Sequence, residues 1–180
     1  SEIKLAIIKR YSKAYGTILA NQSYIRQEYV DAFAGAGMHV SKETGELIDG
    51  SPLIALKTEP PFLHHHFIDL DDARTENLRQ QCAGRSDVSI YRGDANEILV
   101  KQVLPSIRYE NYKRALCIFD PYNLNPNWEV VQMAGASRAV DMFLNFMIMD
   151  ANRDILWKNS SAVTPAKISR MNRFWGDESW

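Results

Sequence analysis

The chain has 180 residues, enough for one domain around a single core and too few for two ordinary ones. Hydrophobic residues make up 46% and charged residues 24%, the profile of a soluble globular protein. A net charge of -1 excludes a protein that coats nucleic acid by charge alone, though not one with a local basic surface.

Cys82 and Cys117 are the only cysteines, and their spacing supports neither a zinc site nor a disulfide framework. With no signal peptide and no apolar run of membrane-spanning length, the expected setting is a reducing cytoplasm, without a membrane partner. The pattern divides into a domain over 1–160 and the start of a C-terminal extension over 161–180. The chain reads as part of a longer protein.

In chain order, residues 3–20 place Ile3, Ile7, Tyr11, Ala14 and Ile18 at helical spacing, so an amphipathic helix opens the domain. "QEYVDAFAG" is an apolar run that halts at glycine, as a buried strand does. "MHVSKETGELIDG" has β-prone flanks around "KETGE" and reads as a small hairpin or long loop. In "GSPLIALKT", Ser51 is placed as a helix N-cap with Pro52 at the first helical position. "HHHFIDL" is a second strand, and "DDARTENLRQQCAG" a helix closed by Gly84. "VSIYRGD" is a third strand before a helix through "ANEILVKQVLP". "RALCIFD" is a fourth strand with "NPNWEVVQMAGA" as its helix. "AVDMFLNFMIMD" is a fifth strand, too apolar to face water on either side. This alternation predicts an α/β doubly wound domain, a mostly parallel, Rossmann-like sheet with helices on both faces.

In such sheets ligands bind at the carboxyl ends of the strands. Four short stretches fall there: Gly35 and Gly37 after the first strand, Asp69 after the second, Gly93-Asp94-Ala95-Asn96 after the third, and Asp120-Pro121-Tyr122-Asn123 after the fourth. Any one of them is an ordinary turn, because loops are rich in Gly and Asp. Four in this order point to an adenosyl ligand. Glycines at 35 and 37 let backbone approach it. Asp69 is placed for both ribose hydroxyls, while Asp94 can accept from the exocyclic amine of adenine as the next N–H meets a ring nitrogen.

Two absences weigh against a dinucleotide and hence against an oxidoreductase. Position 40 is Val40 where a third glycine would stand, and no helix begins directly after Gly37 to receive a pyrophosphate. Asp31 within the motif repels an anion but suits a sulfonium and an ammonium. The balance favours S-adenosylmethionine.

"DAFAGAG" resembles the Asp-x-Phe-x-Gly-x-Gly motif of methyltransferases acting on exocyclic amines, and "DPYN" resembles their Asp-Pro-Pro-Tyr signature with one proline absent. The joint order "YVDAFAGAG…GSPLIAL…FIDLD…GDAN…FDPYN…DMFLNF…NRFWG" resembles the three-Cys-motif partner family of predicted methyltransferases. It is also similar to ribosomal RNA adenine-N6 methyltransferases of the RlmJ type. The resemblance runs from Lys4 to Trp175. It implies that Asp31, Phe33, Gly35 and Gly37 shape the methionine pocket and that Ser51 meets the cofactor's amino-acid end. Asp69 then holds the ribose, and Asp94 with Ala95 the adenine. Asp120 and the Pro121 carbonyl line the transfer site, Tyr122 stacks on the target base, and Lys4 faces the cofactor from the first helix. It further implies a nucleic-acid substrate, RNA or DNA, and a possible partner protein. The missing proline keeps a cofactor-binding subunit without catalysis as the alternative.

Other features have plainer expectations. Strand alternation sends His64 and His66 to one face and His65 to the other, so the three cannot converge on one metal. Asp71 suits a helix N-cap, and Asp94 can cap as well as bind. His39 lies beside the glycine loop. Met142, Phe143, Phe146, Met147 and Met149 read as core, while Asn145 among them needs a polar partner. The tail carries Arg153, Lys158, Lys167, Arg170 and Arg173 against Asp154, interleaved with Trp157, Phe174 and Trp175. It suits either a nucleic-acid surface or a docking helix.

Overall fold

Five parallel strands form the central sheet of the computed structural model, which describes residues 2–41, 44–155 and 163–180. Helix α1 (Glu2–Ala20) precedes β1 (Arg26–Asp31), and a two-stranded hairpin, β2 (Met38–Val40) with β3 (Leu47–Asp49), follows. Then come α2 (Ser51–Leu56), β4 (His64–Asp69), α3 (Asp72–Gln81) and β5 (Val88–Arg92). Helix α4 (Ala95–Ile98) runs through a π turn (Leu99–Val103) into α5 (Leu104–Ser106). The remainder is β6 (Lys113–Phe119), α6 (Trp128–Ser137), β7 (Val140–Leu144), α7 (Ile148–Asp154) and α8 (Pro165–Trp175).

The sheet order is β5-β4-β1-β6-β7. The chain therefore builds outward from β1 to one side, then returns to build the other side from β6. This makes the carboxyl ends of β1 and β6 the topological switch point, where an open α/β sheet leaves a crevice. All five strands expected from the sequence are present and parallel, and the domain is the doubly wound, Rossmann-like fold that the alternation predicts.

Because β1 has a neighbour on each side and helices on both faces, every residue from Gln27 to Asp31 is buried. Tyr29 points to one face, packing with Ile8 and Tyr15 of α1, Ala55 of α2, Phe67 and Leu78 of α3. Val30 points to the other, with Leu99, Val103, Leu104, Val130 and Ala134. A smaller cluster of Leu124, Ala151, Ile155, Met171 and Phe174 seats α7 and α8. No helix among the described residues is long and apolar enough to cross a membrane.

Three expectations are corrected. The face of α1 turned to the core is Ile8, Ser12, Tyr15 and Gly16, whereas the Ile3/Ile7/Tyr11/Ile18 stripe faces water, with Ile3 74% and Ile18 65% exposed. Helix α1 carries apolar residues on two sides, and spacing alone does not choose between them. Close approach does: a Cβ at Gly16 would stand 2.9 Å from the Pro60 carbonyl oxygen, so the small residues mark the docked side. The second correction is that Gly50, not Ser51, is the N-cap of α2, which puts Ser51 at the first helical position. The third is that β7 stops at Leu144. Residues from Ile148 turn into α7, leaving Phe146 and Met149 exposed rather than in the core.

Candidate functional site

The turn after β1 is held by a carboxylate from the neighbouring strand. Asp69, at the end of β4, accepts the Gly35 N–H at Oδ2 (2.8 Å) and the Asp71 N–H at Oδ1 (2.9 Å). The Arg74 guanidinium stands 3.8 Å from the same carboxylate. Asp69 is thus a buried anchor of the glycine turn, with one acceptor site per oxygen already in use. Asp71 caps α3 by accepting from the Arg74 N–H, as expected.

The two glycines divide the work. Both have left-handed backbone, φ 68° at Gly35 and 82° at Gly37. A Cβ on Gly35 would meet nothing within 4 Å and would project into open space. A Cβ on Gly37 would fall 2.9 Å from Leu78 and 2.8 Å from Gln81 of α3. The Gly37 carbonyl also accepts the Gly50 N–H (2.7 Å), tying the turn to the start of α2. Gly35 is the residue that opens space for a ligand, and Gly37 the one that lets helix and hairpin close in behind it.

These residues line a cleft of about 610 Å³ together with Lys4, Phe33, His39, Ser51, Arg74, Asp120, Pro121, Tyr122 and Met147. Beneath its wall lies Asp31, 1% exposed. Its Oδ1 accepts the Phe33 N–H (3.3 Å), and its Oδ2 has no hydrogen-bond partner among the described residues. Burial pushes this carboxyl up to about 7. The Ser51 hydroxyl and the Phe33 N–H pull it down, and the Asp120 and Asp69 charges add to the rise.

On the far side of Phe33 a second cavity, about 480 Å³, is lined by Ala32, Leu70, Gly93, Asp94, Ala95, Asn96, Asn125, Asn127 and Arg173. Asp94 caps α4, its Oδ1 accepting from the N–H groups of Asn96 (2.8 Å) and Glu97 (3.2 Å). Asn96 clamps the opposite wall, donating to the Asn125 carbonyl (3.1 Å) and accepting the Asn127 N–H (2.7 Å). Phe33 is common to both cavities, so the two open on one continuous rim.

At the end of β6, Asp120 is held from two directions. The Lys4 ammonium donates to both its oxygens (2.7 and 2.6 Å), and the Asn145 amide donates to Oδ1 (2.7 Å). Lys4, expected to face a cofactor, lines the cleft and reaches across from α1 to this carboxylate. Asn145 finds in Asp120 the partner that its apolar surroundings demand. Pro121 is buried, whereas the Tyr122 ring is 66% exposed, with the Arg74 guanidinium over its face at 5.8 Å. Lys4, Gly35, Gly37, Ser51, Asp120, Pro121 and Tyr122 therefore share one cleft, and Asp94 and Ala95 share the other. Asp31 and Asp69 lie behind the walls.

Arg74 was not singled out from the sequence, and Asn96 appeared there only as the end of the Gly93–Asn96 stretch, with no role given to it. Each sits on the first turn of a helix, where charged and polar residues are common, and nothing local marks them. Of the basic tail, Arg173 reaches the second cavity, Phe174 is buried in the third cluster, and Trp157 and Lys158 lie outside the described residues. His64 and His66 share a face with ring centroids 4.7 Å apart, and His65 points the other way, as alternation requires.

No protein-family model matches this sequence, and no curated protein matches it either. Solved structures do. Protein LPL1258 from Legionella pneumophila aligns over 95% of this chain and 72% of its own, at 11% identity and a TM-score of 0.52. It shares the fold. The yhhF protein of Escherichia coli, provisionally named a methyltransferase, aligns over 78% of this chain and 70% of its own, at 14% identity and a TM-score of 0.49.

Proposed function

We propose that this chain is an S-adenosylmethionine-dependent methyltransferase of the three-Cys-motif partner family, acting on an exocyclic amine of a nucleic-acid base. The observation that carries the reading is the meeting of Asp120-Pro121-Tyr122 with the Gly35 turn in one cleft at the switch point of the sheet.

The residues present fit the cofactor. Open space at the missing Gly35 Cβ admits a ligand against backbone, and the Asp31 carboxyl behind the wall, raised to about 7 by burial, would be drawn to its charged form by an ammonium or sulfonium placed there. Ser51 would meet the amino-acid end and Asp94 with Ala95 the adenine, while Asp69, behind the wall, would hold the Gly35 turn against the ribose. Bound there, S-adenosylmethionine supplies an electrophilic methyl group.

The protein's part is to prepare the amine. The lone pair of an aromatic amine is delocalised into its ring, so the nitrogen is a poor nucleophile. Asp120 and the Pro121 carbonyl, accepting its two N–H bonds, favour the pyramidal nitrogen and absorb developing positive charge. Lys4 and Asn145 fix the Asp120 carboxylate in place, which is orientation already secured before substrate arrives. Tyr122 offers an exposed face for the base, which must leave its stack to reach the cleft.

One observation favours a second reading, a cofactor-binding subunit that works with a partner protein and transfers nothing. Lys4 already occupies both oxygens of Asp120. Labelled-methyl transfer to RNA and DNA separates the two. Asp120→Ala is expected to abolish transfer, a loss on the order of 100-fold or more, while S-adenosylhomocysteine still binds by calorimetry. Equal loss of binding and transfer would show that Asp120 belongs to the cofactor site instead.

A further inference from the structure

The opposite end of the same sheet holds a cluster that the proposed transfer reaction does not use. Parallel sheets are ordinarily apolar on both faces. Here the amino-terminal half of one face carries Arg26 and Glu28 of β1, His64 and His66 of β4, Ser89 and Tyr91 of β5, and Lys113 of β6. Register places them side by side: Arg26 pairs with Lys113, Glu28 with His64, and His66 with Ser89.

At its base Glu28, 3% exposed, accepts from Lys113 (2.8 Å) and from His66 Nε2 (3.0 Å). That donation assigns the Nε2–H tautomer, so His66 Nδ1 accepts from the Tyr91 hydroxyl (3.1 Å). Burial would raise the Glu28 carboxyl, but the hydrogen bonds from His66 and Lys113 outweigh it and hold it below the usual carboxylate range. Glu28 is thereby spent within the cluster. Above it lies a cavity of about 200 Å³ lined by Arg26, Glu28, Leu63, His64, His66 and Lys113. Arg26 makes no ion pair with any described residue, and His64 bonds Ser89 through Nε2 (2.9 Å), leaving Nδ1 open.

Lys113 and Glu28 offset one another, so Arg26 supplies the one surplus positive charge, beside the remaining Lys113 donors and an open imidazole nitrogen, in a cavity too small for a whole cofactor and of a size for a single charged group. Beside it the Arg26 N–H donates to the Tyr112 carbonyl (2.9 Å), and Tyr112 forms an edge-to-face pair with Tyr24 (5.5 Å), both rings exposed. We propose that this pocket is a phosphate-binding site, with Arg26, Lys113 and His64 on the anion and the Tyr24–Tyr112 pair beside it for the attached nucleoside. Strand length puts it about 20 Å from the Asp120 cleft, so it anchors its ligand independently of methyl transfer.

The phosphate belongs to one of two sources, a free nucleotide or a nucleic-acid strand. Calorimetric titration at constant ionic strength, first with inorganic phosphate, then with adenosine 5′-monophosphate, then with a short single-stranded oligonucleotide, distinguishes them. S-adenosylhomocysteine is kept saturating throughout, so that the cleft is filled. Phosphate is expected to bind, and Arg26→Ala to weaken it about tenfold, the scale of one charge-assisted contact. Arg26 is exposed, so the fold should survive its loss, which circular dichroism checks. Tyr24→Ala should leave phosphate affinity unchanged and weaken whichever larger ligand binds. No phosphate binding, or equal affinity in wild type and Arg26→Ala, overturns the proposal. Absence of methyl transfer by wild type in the separate labelled-methyl assay, with phosphate binding intact, would overturn the methyltransferase reading alone.

Discussion

Glu28 and Asp31 lie three residues apart on the same central strand, both nearly inaccessible, and their chemistry runs in opposite directions. Glu28 has a histidine and a lysine on its oxygens, and its carboxyl is held below the ordinary value. Asp31 has only neutral donors near it, the Ser51 hydroxyl and the Phe33 N–H, and its carboxyl is pushed up to about 7. Burial raises both carboxyls, Asp31 the more; cationic donors reverse that rise at Glu28, while at Asp31 the Asp120 and Asp69 charges add to it. At the amino end of the sheet the protein provides those donors itself. At the carboxyl end it leaves an acceptor unmatched beside a cleft, which is where an incoming cationic ligand has something to gain.

Removing the self-supplied partner breaks the comparison most severely. Glu28→Ala leaves Lys113 and His66 without their counter-charge and should lower unfolding free energy by about 3–5 kcal/mol in urea melts. The sign with pH follows from the lowered carboxyl. Its stabilisation is present above the unfolded value and lost as pH falls through the folded one, so wild type and variant should converge in acid.

A smaller effect is expected at Asp69, which joins the two strand ends by holding the Gly35 N–H. Asp69→Ala should weaken S-adenosylhomocysteine binding by about 1.5–3 kcal/mol, the scale of a hydrogen bond to a charged group. Unchanged affinity by calorimetry would place the ribose elsewhere.

A further test sharpens the contrast by reversing its sign. With the Asp31 carboxyl raised, its contribution to stability is full below the unfolded carboxylate range and is lost as pH rises through about 7. Asp31→Asn removes that loss. The variant should gain on the order of 4 kcal/mol over wild type at pH 8, and the gain should shrink as pH falls and vanish near pH 4, the unfolded carboxylate value. Thermal melts at the two pH values read it directly. A variant less stable than wild type at pH 8 would mean that the Ser51 hydroxyl and the Phe33 N–H stabilise the ionised carboxylate by more than burial disfavours it.

Much of this site was legible in advance because strand ends carry a local signature. An apolar run that stops at Gly or Asp marks where a strand leaves the sheet, and α/β topology sends those points to one rim. Gly35, Asp94, Asp120 and Tyr122 could be placed on that basis. Which side of a helix docks is a different kind of question. Helix α1 offers two apolar stripes, and the choice fell to Ser12 and Gly16, whose small size lets the backbone approach the Pro60 turn. The Lys4–Asp120 pair spans 116 residues, and no spacing rule reaches that far.

From the sequence alone came the succession of strands along the chain, their parallel arrangement, the rim on which the acidic loops gather and the need of Asn145 for a partner. Those follow from hydrophobic period and glycine punctuation, which are local. Only the tertiary structure decided that Lys4 would grip Asp120, that Asp69 would bind the glycine turn, that Gly37 would serve packing rather than access, and that half of one sheet face would be polar. Each of these depends on which atoms meet across distant segments, and that is settled by close packing around the whole core, not by any stretch of chain within it.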